Sequence, residues 1–107
     1  MADSRAATGG HDTFEHTADV GIRAWGRDLP ELFEQAAAAL IEALLDPETV
    51  GHEQTRPVEV DGDSPEEVLV AWLEEVLFAF EADQFAPAAA RVEAMEDGRL
   101  RGAIEGE

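Results

Sequence analysis

An α+β fold, with two amphipathic helices packed on one face of a mostly antiparallel sheet, is predicted by three features of this sequence. Two stretches carry apolar residues at helical spacing behind capping signals. Short segments around them alternate apolar and polar residues, the period of a half-buried strand. An Asp-Gly pair near the end splits the last such segment into a hairpin. The order is therefore strand, helix, strand, helix, hairpin, and layering the helices on the sheet buries both apolar stripes at once.

The first strand is read from Val20, Ile22 and Ala24, which alternate with Asp19, Gly21, Arg23 and Trp25. The aliphatic set faces the core, which leaves Asp19 and Arg23 on the opposite face. Asp28 followed by Glu31 then opens a helix, with Pro30 tolerated in the first turn because its missing N–H has no partner there. Leu29, Leu32, Phe33, Ala36, Ala37, Leu40, Ile41, Leu44 and Leu45 form its stripe. Asp46-Pro47 ends it, since proline drives the preceding residue out of the α region.

Thr55 to Val60 reads as a second strand, with Val58 and Val60 on one face. Pro57 lacks a ladder donor and places that strand at or near an edge. Ser64, Pro65 and Glu67 supply an N-cap, a first-turn proline and a capping-box acid for the second helix. Its stripe is Leu69, Trp72, Leu73, Val76, Leu77 and Phe80, and it frays near Asp83. Ala90, Val92 and Ala94 lead to the Asp97-Gly98 turn, and Leu100, Gly102 and Ile104 return.

The chain has 107 residues, enough for one core of modest size. It contains no cysteine, which excludes disulfides, thiolate metal sites and cysteine nucleophiles. No apolar run approaches the roughly 20 residues of a membrane span. Residues 1–13 lack a basic n-region and an apolar h-region, so they are expected to be a disordered tail of a cytoplasmic protein, with one domain over 14–107. The formal charge is −18, and the seven basic residues are all arginine. Such a surface repels phosphate backbones, which argues against stable direct nucleic-acid binding. The acids are spread along the whole chain, which suits general adaptation to high salt, a halophilic surface; a local cation or basic-partner site is the other reading.

Among candidate site residues, Asp19 at a strand end can ligate a hard cation, and His16 can add a nitrogen ligand or relay a proton. The structural alternative is an Asp19 that accepts backbone N–H bonds in the turn, with His16 packed beside it. Asp61, Asp63, Glu66 and Glu67 crowd the second helix start, where capping and the helix dipole already favour acids. His11 and His52 read as exposed loop residues, and Trp25 and Trp72 as packing anchors. No phosphate loop, Gly-x-Ser-x-Gly elbow or His-Glu-x-x-His helix occurs. Ser4 and Ser64 are the only serines, one in the tail and one a cap, so nucleophilic catalysis has no candidate.

Three stretches resemble the archease family: Glu15-His16-Thr17-Ala18-Asp19-Val20-Gly21-Ile22-Arg23-Ala24-Trp25-Gly26, Leu32-Phe33-Glu34-Gln35-Ala36-Ala37, and Leu69-Val70-Ala71-Trp72-Leu73-Glu74-Glu75-Val76-Leu77-Phe78. The resemblance implies a non-catalytic activator of an RtcB-type tRNA-splicing RNA ligase, promoting guanylylation and multiple turnover. It also implies a divalent cation site, Ca²⁺ or Mg²⁺, to which Asp19 of the His-Thr-Ala-Asp motif contributes. Family members run on through a Lys-Ala-x-Thr-Tyr segment and a closing strand ending in Asp-Ile. This sequence stops at Glu105-Gly106-Glu107, so an incomplete C-terminus and an incomplete cation site are expected. The alternative function is a general acidic, chaperone-like binding module without metal dependence.

Overall fold

The computed structural model describes residues 9–15 and 20–107, with backbone alone at 12–15 and at 20. Its elements are β1 (Gly10–Glu15), β2 (Val20–Trp25), α1 (Leu29–Leu44), a 3-10 turn (Pro47–Thr49), β3 (Gln54–Asp61), α2 (Pro65–Glu81), β4 (Pro87–Glu96) and β5 (Arg99–Gly106). The α+β expectation holds. The strands form two antiparallel sheets, β1-β2 and β3-β5-β4. Helix α1 lies across β1, β2 and β4, and α2 lies across the three-stranded sheet and against α1.

Both helices begin as their sequences require. The Asp28 carboxylate accepts the Glu31 N–H at 2.9 Å, and the Ser64 hydroxyl accepts the Glu67 N–H at 3.2 Å. Each glutamate reaches back one residue beyond the cap, to the N–H of Arg27 and of Asp63, both at 2.8 Å. One first-turn donor and the N–H just before the cap are thereby satisfied at each helix start. At the other end of α1, the Asp46 side chain caps the 3-10 turn by accepting the Glu48 N–H at 3.1 Å.

The core is the seam between α1, α2 and the three-stranded sheet: Phe33, Ile41, Val58, Val68, Trp72, Val76, Leu100 and Ile104 are all buried there. Trp72 of α2 donates its indole N–H to the Phe33 carbonyl of α1 at 2.9 Å. Its ring also covers Gly102 of β5, where a Cβ would lie 2.3 Å from the Arg91 carbonyl and 3.1 Å from the indole. Only glycine lets the tryptophan and β4 approach β5 this closely.

Strand β3 is an edge, as Pro57 requires, and Pro57 sits opposite Ala103. β4 forms the other edge and is irregular, with one extra residue at Ala88 and another at Glu93. Asp97 (φ 52°) and Gly98 (φ 74°) both adopt positive φ, the two-residue turn that matches strand twist.

The expected start of the domain is corrected. Gly10–Thr13, read as the end of a tail, are the first residues of β1, paired from Gly10↔Trp25 to Glu15↔Val20. Residues 1–8 lie outside the described residues. The strand escapes sequence reading because His11-Asp12-Thr13 offers no apolar alternation; its ladder with β2 holds it.

Candidate functional site

The His-Thr-Ala-Asp motif joins β1 to β2. Residues 16–19, and so His16 and Asp19, lie outside the described residues. The structure does describe how the hairpin that carries them is held. His11, expected in an exposed loop, instead stands on β1 opposite Ala24 and is half-buried against α1. Its Nδ1 lies 2.6 Å from the Gln35 amide oxygen and its Nε2 lies 2.9 Å from a Glu42 carboxylate oxygen. A β1 side chain is thus clasped by two α1 side chains about two turns apart. At the same end of the hairpin, the Trp25 indole lies over Gly10, its cross-strand partner.

The connection from β2 into α1 carries an ion pair. Arg27 pairs with Glu31 at 2.8 Å across one helical turn. The guanidinium hydrogen bond, and then the Arg27 backbone N–H, hold the Glu31 carboxyl below the ordinary carboxylate range. A similar cluster lies at the end of β5, where Glu105 meets His52 at 3.0 Å and also Arg91. The His52 hydrogen bond is the main cause of a lowered Glu105 pKa. His52 itself is exposed, as the sequence suggested.

Among the acids at the α2 start, Glu67 serves the cap and Asp61 faces Arg99 across the β3–β5 ladder. Among the described residues, no group of three His, Asp or Glu is arranged to hold a metal ion. A cleft of about 490 Å³ opens between the two helix starts and the β4–β5 turn, with Leu29, Pro30, Val68 and Met95 in its lining. The hydroxyl it contains, Ser64, is committed to the cap. Asp63, Glu96, Asp97 and Arg99 also line it, so this arrangement can hold an apolar group with a polar rim.

The fold is thus a two-helix α+β domain whose β1–β2 hairpin is clasped to α1. The sequence matches the Archease protein family (MTH1598/TM1083) over residues 11–107, and the chain belongs to that family. It is 38% identical over 94 residues to the protein archease of Archaeoglobus fulgidus, covering 82% of this chain and 69% of that protein. It is 44% identical over 70 residues to the protein archease of Sulfurisphaera tokodaii, covering 65% and 50%. With the Danio rerio protein archease the identity is 43% over 75 residues, covering 70% and 46%. The solution structure of Methanobacterium thermoautotrophicum protein 1598 is similar in fold, with a TM-score of 0.74 and 33% identity. That match covers 92% of this chain and 72% of the other. The chain spans about half the length of several curated relatives it matches.

No helix among the described residues is long and apolar enough to cross a membrane.

Proposed function

We propose that this chain is a non-catalytic activator of an RtcB-type RNA ligase in tRNA splicing, promoting guanylylation and repeated turnover. Family membership over residues 11–107 carries this reading. The charge of −18 supports a protein partner over RNA, because an acidic surface gains nothing from counterion release but is steered quickly to a basic enzyme. Asp19 supplies a carboxylate to a Ca²⁺ or Mg²⁺ site between β1 and β2, and the clasp of His11 on α1 ties the hairpin that carries it to the rest of the domain.

The test is a multiple-turnover ligation assay with the cognate ligase, comparing this chain, a version extended with a family C-terminal segment, and Asp19→Asn in each. The extended protein is expected to raise the RNA joined per ligase well above one equivalent. This chain alone stimulates partly or not at all, and nothing is joined without ligase. Asp19→Asn should lose the stimulation and weaken cation binding in calorimetry while the fold persists. An extended protein that fails to stimulate overturns the activator reading. If Asp19→Asn stimulates like its parent, the cation role goes and the metal-independent acidic module takes its place.

A further inference from the structure

The outer face of α2 carries apolar side chains that the core does not use. Val70 and Phe78 are 54% and 56% exposed, and Leu77 is partly exposed beside them. At 100° per residue these three lie on the side of the helix turned away from buried Trp72. With Glu74, Glu81 and Ala82, Leu77 and Phe78 line a shallow hollow of about 470 Å³. The stripe from Val70 to Ala82 runs about 18 Å at 1.5 Å per residue, three turns of helix.

Every charge on this helix has the same sign. α2 contains Glu66, Glu67, Glu74, Glu75 and Glu81 and no basic residue. Among the described residues, none of these glutamates forms an ion pair; the arginines and histidines that form pairs do so with other carboxylates. Glu74 lies between Val70 and Phe78 on the same face, and Glu81 follows one turn later. Apolar side chains within an unneutralised acidic frame select their occupant by charge. A second copy of a chain carrying −18, an anionic lipid surface and a nucleic acid are all repelled.

We infer that the outer face of α2, centred on Val70, Leu77 and Phe78, is a docking surface for a basic amphipathic helix of a partner protein. Apolar anchors of the partner would bury Phe78, and flanking lysines or arginines would meet Glu74 and Glu81, the helix-on-helix mode of recognition. The inference rests on this helix alone and holds whichever protein supplies the partner helix.

The probe is a synthetic helical peptide with one leucine face and one lysine face, titrated into the whole chain at moderate salt. Phe78→Ser and Val70→Ser are the main variants. Both sites are exposed, so the fold should be retained, with unchanged far-UV circular dichroism as the check. Phe78→Ser is expected to weaken binding about tenfold, equivalent to about 1.4 kcal/mol. Glu74→Gln should weaken it more than Glu48→Gln, which removes the same charge far from the stripe. If both serine variants bind as tightly as the parent, the peptide is held by diffuse charge and the proposal is overturned. Sedimentation showing a parent dimer that Phe78→Ser dissolves would also overturn it, by identifying a second copy as the occupant. Neither outcome depends on the ligation assay, so this inference and the ligase reading fail separately.

Discussion

Trp72 does three things that a smaller side chain would divide. It is fully buried, donates to the Phe33 carbonyl at 2.9 Å, and seats its ring on Gly102. Two helices and the central strand therefore meet on one indole. Trp72→Phe removes the donor and part of the ring, a loss of about 1–3 kcal/mol from one hydrogen bond and a small cavity. At roughly 4–8 °C per kcal/mol, the melting temperature should fall by at least several degrees with the helix content unchanged. A melting temperature within a degree of the parent would show that the indole N–H contributes nothing. The packing role of Trp72 was legible in the sequence, since it lies on a stripe set by its own helix. The role of His11 was not. Its partners Gln35 and Glu42 are 24 and 31 residues away, and nothing local to His11 signals them.

At the scale of elements, what was legible is what is local. Both caps, both prolines and the Asp97-Gly98 turn act within four residues of themselves, and all appear where the sequence places them. β1 acts through its ladder and its clasp to α1, both of which require another element. The motif loop, Asp19 included, was legible as a motif, while its geometry lies outside the described residues. Among the described residues the two sheets are not hydrogen-bonded to each other, and α1 packs on both. The β1–β2 hairpin should therefore open more readily than the core. His11→Ala removes the clasp, worth about 0.5–1.5 kcal/mol at this half-exposed site. Amide exchange in β1 should quicken roughly three- to tenfold, while α2 and β5 keep their protection. Equal acceleration everywhere would mean that the hairpin opens only with the whole domain.

For the molecule as a whole, unmatched charge outweighs matched charge. The 25 acidic residues against seven arginines leave 18 carboxylates with no basic counterpart. Among the described residues, arginine pairs such as Arg27 with Glu31, Arg56 with Asp83 and Arg91 with Glu105 lie at the surface and contribute little. Added salt weakens those pairs slightly and the general repulsion far more. The melting temperature should therefore climb by several degrees or more as KCl rises from tens of millimolar to molar, a gain of about 1 kcal/mol or above. A flat response would remove the reading of this surface as an adaptation to salt.

That screening has a further effect at the rims of the three-stranded sheet. At molar salt the Debye length is about 3 Å, and a like-charged neighbour is no longer held off by its field. Two open backbone edges then face each other with only their hydrogen-bonding patterns to decide whether they join. Pro57 leaves β3 without a donor at its middle, Glu34 occupies the Val92 N–H of β4 at 2.8 Å, and the extra residues at Ala88 and Glu93 put that strand out of step. Neither rim offers a full, evenly spaced row for a foreign strand. What these rims set against a foreign strand in brine is thus a mismatch of shape, which screening does not alter.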